Sequence, residues 1–70
     1  MDGKVTIRLN GKAREVTADI TVSVLLDELG LVPGMVVVER NREILARDSY
    51  ATVRLSEGDQ LELVHFVGGG

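Results

Sequence analysis

Only one stretch of this 70-residue chain repeats with the period of an α-helix, and it is short. Val22, Leu25, Leu26 and Leu29 fall at i, i+3, i+4 and i+7 and make a single apolar stripe. Thr21 stands where an N-cap belongs, since its hydroxyl can accept a backbone N–H of the first turn. Gly30 stands where a left-handed residue ends a helix. Asp27 and Glu28 sit near the C-terminal end and oppose the helix dipole, so this helix must draw its stability from packing. A lone amphipathic helix can bury its stripe only against a neighbouring layer, and the rest of the chain reads as strand.

Val5-Thr6-Ile7-Arg8-Leu9 alternates cleanly, the pattern of a half-buried strand. Asn10-Gly11 follows and predicts a type I′ hairpin turn, because both residues tolerate positive φ. The return strand runs from residue 12 to about residue 17, which sets Leu9 opposite Lys12, Ile7 opposite Arg14 and Val5 opposite Val16. Two of those partners are charged. Either the hairpin tip overhangs the core with its cations reaching outward, or a bulge re-registers the strand.

Leu31-Val32-Pro33-Gly34 reads as a connecting loop. Residues 35–39, apolar without a break until Glu39, have the pattern of a central strand covered on both faces or nearly so. Arg40-Asn41-Arg42 reads as a turn, Glu43-Ile44-Leu45 as a brief strand, and residues 46–51 as one loose helical turn. Thr52-Val53-Arg54-Leu55 alternates again. Ser56-Glu57-Gly58-Asp59 is turn chemistry, and residues 60–67 are the last strand. A right-handed crossover through the helix would set a later strand parallel to an earlier one. The expected fold is α+β, a β-grasp (ubiquitin-like) domain over residues 1–67 with a mixed sheet of four to five strands and one helix on one face. Residues 68–70 are expected to form a flexible glycine tail.

Seventy residues make one domain, and 44% apolar content is that of a globular chain. Cysteine is absent and histidine occurs once, so neither a disulfide nor a zinc cluster can staple the fold. Net charge is −3, with one Phe, one Tyr and no basic stripe, which argues against nucleic acid as a partner. No apolar run approaches the ~18 residues of a membrane span, and Met1-Asp2-Gly3-Lys4 lacks a signal-peptide pattern. The expected location is cytoplasmic, with no membrane partner.

No GxxxxGK[ST] phosphate loop, metal constellation or nucleophile–base set is present, so the chain is expected to be neither an enzyme nor a holder of ATP or metal by itself. His65 has no Ser or Cys nucleophile beside it and reads as a structural or solvated histidine. The acidic neighbours Asp27 and Glu28, and Glu57 and Asp59, read as ordinary helix-face and turn residues. Glu39-Arg40-Asn41 reads as a strand end that shapes a turn, with a partner contact by Arg40 or Arg42 as the alternative.

The chain as given finishes on Val67-Gly68-Gly69-Gly70. Three residues without a β-carbon make a thin stalk whose backbone can lie close against another protein, and the carboxylate it presents is the best candidate for a reacting group. Extended, three glycines span at most about 10 Å. A free carboxylate is a poor electrophile, and the groups that activate it must come from a partner. Ordering the stalk costs about 1–2 kcal/mol per residue, which a docking surface on the globular body would offset. In the last strand Leu61 and Leu63 should face the helix, turning Glu62, Val64 and Phe66 to the other face. Val64 and Phe66 on that face, with Val67 next to the tail, are the candidate docking residues.

Together the Asn10-Gly11 hairpin, the helix from Thr21, the segment Val37-Val38-Glu39-Arg40-Asn41, the Glu57-Gly58-Asp59 turn and the ending Glu62-Leu63-Val64-His65-Phe66-Val67-Gly68-Gly69-Gly70 resemble the ThiS family of thiamine-biosynthesis sulfur carriers. The resemblance covers essentially the whole chain. It implies that an adenylating enzyme, using ATP and magnesium, activates the carboxylate of Gly70. It further implies that a persulfide donor converts Gly70 to a thiocarboxylate, and that thiazole synthase receives the sulfur. Gly68 and Gly69 would then thread into the partner's active site. The alternatives are a sulfur carrier for molybdopterin or another product, and a ubiquitin-like protein modifier.

Overall fold

The computed structural model describes residues 3–66; the expected tail, and Val67 with it, lie outside the described residues. The chain opens with β1 (Lys4–Leu9) and β2 (Lys12–Thr17), joined by the Asn10-Gly11 turn. Asn10 and Gly11 have φ of 51° and 85°, as a type I′ turn requires. The hairpin register is the expected one and runs unbroken from Lys4↔Thr17 to Leu9↔Lys12, so no bulge intervenes. Lys12 and Arg14 reach solvent, while Ile7, directly opposite Arg14, and Val16, two residues further from the turn, are buried.

Helix α1 (Val22–Glu28) carries the apolar stripe, with Val22, Leu25 and Leu26 fully buried. Every N–H of its first turn is satisfied. Val22 donates to the Val53 carbonyl, Ser23 to the Tyr50 carbonyl, Val24 to the Thr21 hydroxyl and Leu25 to the Thr21 carbonyl. At the other end Gly30 takes φ 73°, the Leu31 N–H donates to the Leu26 carbonyl and the Gly30 N–H to the Asp27 carbonyl. Those two bonds define a Schellman ending, for which glycine is the residue of least strain.

A 3-10 turn (Pro33–Met35) leads into β3 (Val36–Arg40), which a two-residue turn connects to the short β4 (Glu43–Ile44). Pro33 fixes the turn, so β3 starts one residue later than the apolar run implied, at Val36 instead of Met35. Val36 and Val38 are buried against the helix, but Val37 on the other face is only half-buried, so β3 is covered on one face. A second 3-10 turn (Arg47–Ser49) fills residues 46–51 as expected. Residues 52–55 depart from expectation. They make a single bridge, Thr21↔Arg54, because the carbonyl of Val53 and the N–H of Leu55 are committed to the start of the helix and to Ile20.

The last strand, β5 (Gln60–His65), lies in the centre of a five-stranded mixed sheet of order β2-β1-β5-β3-β4. It runs parallel to β1 and antiparallel to β3, and α1 packs on one face. This is the β-grasp arrangement. Tyr50 completes β3 from the edge side: its buried hydroxyl donates to the Val36 carbonyl (3.0 Å) and accepts from the Val38 N–H (3.2 Å). A side chain thus takes the place of a strand where β4 is too short to reach.

Candidate functional site

β5 begins at a closed corner. The Asp59 carboxylate, 6% exposed, accepts from the Arg40 Nε (3.0 Å), the Asn41 Nδ2 (3.2 Å) and the Ser56 N–H (2.8 Å). Burial alone would push its pKa up. The Ser56 N–H, the Asn41 amide and the Arg40 guanidinium outweigh burial and hold it below the ordinary carboxylate value. Asn41 also exchanges two bonds with Gln60, and the neighbouring Glu57 accepts the Thr6 N–H at 2.9 Å. Arg40-Asn41 and Glu57-Gly58-Asp59, separate in sequence, therefore form one structural lock. Arg40 is held inside that lock; Arg42, in the left-handed region at φ 72°, is exposed.

The strand ends differently. Leu61 is buried and Leu63 packs against the core, both on the helix side as expected. Val64 and Phe66 point to the opposite, open face, 52% and 53% exposed. Val64 lies opposite Val37 on β3, and in the next row Glu62 pairs Glu39, which in turn pairs Ile44 on β4, itself 71% exposed. Cross-strand partners share a face. The open side of the sheet therefore carries Val64, Val37 and Ile44 in neighbouring rows with Phe66 at its end, and two carboxylates between them. Val37 and Ile44 were not singled out from sequence; their facing follows only once Val36 and Val38 are known to point at the helix.

The backbone stays tethered up to the last described residue, since the Phe66 N–H donates to the Met35 carbonyl at 2.8 Å. Val67, Gly68, Gly69 and Gly70 lie outside the described residues. His65 is exposed at the helix-side edge opposite Val36. Asp27 and Glu28 are exposed on the helix. Among the described residues no three His, Asp or Glu side chains gather into a metal-holding group, no cavity is enclosed, and no helix is long and apolar enough to cross a membrane.

Comparison with known proteins matches residues 7–70 to the ThiS family model. The chain is 43% identical to the sulfur carrier protein ThiS of Bacillus subtilis, over 91% of this chain and 98% of that one. It is 50% identical to a thiazole synthase of Paramagnetospirillum magneticum over 89% of this chain, and 47% identical to one of Magnetococcus marinus over 91%. It spans only 19% and 20% of the lengths of those two proteins. The crystal structure of the thiamine biosynthesis protein ThiS of Geobacter metallireducens superposes with a TM-score of 0.80 at 32% identity, covering 94% of this chain and all of that one. A β-grasp sheet of this topology, matched in sequence and in structure over nearly its whole length, places the chain in the ThiS family.

Proposed function

We propose that this chain is a cytoplasmic sulfur carrier of thiamine biosynthesis, working through the carboxylate of Gly70. A carboxylate oxygen is a poor leaving group. A separate adenylating enzyme, using ATP and magnesium, would convert it to a mixed anhydride with AMP, with pyrophosphate leaving. The terminal sulfur of a persulfide donor would then displace AMP to give an acyl disulfide. A thiol would cleave that S–S bond, ending in a disulfide with the donor and freeing a thiocarboxylate that thiazole synthase consumes. The chain's own part is to present the group: Gly68 and Gly69 thread into the partner's active site, while Val64, Phe66 and Val67 dock the body beside it.

The observation that carries this reading is the pair Val64 and Phe66, large apolar side chains left on the open face within six residues of Gly70. Burying them against a partner would offset the entropy of ordering the glycines. Thiazole synthase is favoured as the acceptor because two relatives of that name contain a segment matching this chain within a longer protein.

Intact-mass analysis after incubation with an adenylating enzyme, ATP, magnesium, a persulfide donor and a thiol reductant tests the reading. Exchange of one oxygen for sulfur is expected, and its loss on deleting Gly70 locates it. Attachment to lysines of other proteins would instead mark a modifier, and an unchanged mass would contradict the carrier reading.

A further inference from the structure

Strand β5 outlasts its neighbour β1. Backbone groups alternate sides along a strand, and in β5 those of residues 61, 63 and 65 point toward β1 while those of 60, 62, 64 and 66 point toward β3. On the β1 side the Asn10 N–H donates to the Leu61 carbonyl at 2.8 Å, and the Leu63 N–H donates to the Asn10 Oδ1 at 2.7 Å. These two bonds make one step of a parallel ladder, with a side-chain oxygen standing in for a backbone carbonyl. The chain then turns away at Gly11 into β2. The next step, formed by the Leu63 carbonyl and the His65 N–H, has no partner among the described residues. On the other side β3 remains paired through Val36↔His65, and Met35 holds Phe66. Immediately before residues 67–70, then, β5 is a strand with one edge satisfied and one edge open.

We propose that this open step receives an extended backbone segment of the adenylating partner, added as a further strand beside β5; this rests on the sulfur-carrier reading. A tail of three glycines offers no side chain to recognise, so a partner must read it largely through its backbone. The open groups at Leu63 and His65 start that readable backbone where the fold still holds it rigid, which lowers the cost of ordering the glycines on binding. One residue of a parallel segment would donate to the Leu63 carbonyl and accept from the His65 N–H. An antiparallel segment would exchange both bonds with His65. Either arrangement requires the His65 N–H.

His65→Pro removes that N–H and sets a ring in the path of an added strand, without deleting a bond within the described residues, a position where a sheet tolerates proline. The expected result is binding to the purified adenylating enzyme about tenfold weaker than wild type, with the thermal midpoint kept and with His65→Ala losing far less. Unchanged binding of His65→Pro, or an equal loss for His65→Ala, overturns the proposal. Amide hydrogen exchange on the wild-type protein gives a readout independent of how the proline variant folds. The His65 amide should exchange rapidly in the free protein and slow about tenfold or more in the complex. Equal exchange in both states overturns the proposal, as does protection that grows with the concentration of the free protein alone, which would assign the edge to a second copy of this chain. Thiocarboxylate formation on the wild type reports separately. Sulfur incorporation with an unprotected His65 refutes the strand addition alone, and no incorporation refutes the carrier reading beneath it.

Discussion

The two ends of β5 are built on opposite terms. At its start, a buried carboxylate, a guanidinium, an amide and a backbone N–H satisfy one another around Asp59. At its finish, Val64 and Phe66 lie exposed and a ladder step goes unfilled among the described residues. A polar group taken out of water costs stability unless it is paired, and an apolar group left in water forgoes stability it would gain by burial. The chain resolves the first problem internally and leaves the second unresolved at the residues that lead to Gly70. One end of the strand serves the fold, and the other is the end that the proposed function gives to a partner.

Substitutions along this line should therefore separate stability from binding. The largest loss of stability is expected for Asp59→Ala, which strands the Ser56 N–H and the Arg40 guanidinium at a nearly buried position: about 2–4 kcal/mol by denaturant unfolding. The same residue sets an acid limit. Its folded pKa lies below the ordinary 3.8, so its contribution is present above that value and is lost as pH falls through the lower folded value. In Asp59→Asn, stability measured from about pH 5 to 2 should lack that step. Tyr50→Phe removes the hydroxyl that stands in for a strand on β3 and should cost about 1–2 kcal/mol. Asn10→Gly keeps the positive φ of the turn but deletes the acceptor for the Leu63 N–H, and about 1 kcal/mol is expected. Phe66→Ala comes last on this scale, within about 0.5 kcal/mol of wild type, while its affinity for the adenylating enzyme should fall about tenfold. Stability loss at Phe66, or none at Asp59, would break the contrast.

Much of the fold was legible because its signals are local. Asn10-Gly11 fixes a hairpin and its register, and Thr21 and Gly30 bracket a helix whose stripe needs only one turn of look-ahead. The facing of Val64 and Phe66 followed from period-2 alternation counted from Leu61 and Leu63. What was not legible depends on pairing across the sheet. Arg40-Asn41 meets Asp59 only because β3 lies beside β5. Tyr50 sits in a segment without periodicity, so its bridging hydroxyl left no pattern. Residues 52–55 carry a strand's alternation, yet their backbone groups cap the helix start and bond Ile20, and local pattern cannot reveal that competition. Val37 and Ile44 joined the open face only when the inward side of β3 was known.

The contrast along β5 is tested most directly by following every backbone amide of the labelled protein as the adenylating enzyme is added. Shifts and broadening are expected at Val37, Ile44, Val64, His65 and Phe66, with Asn41, Ser56 and Asp59 unmoved. Perturbation confined to the Asp59 corner, with residues 64–66 unchanged, would contradict it.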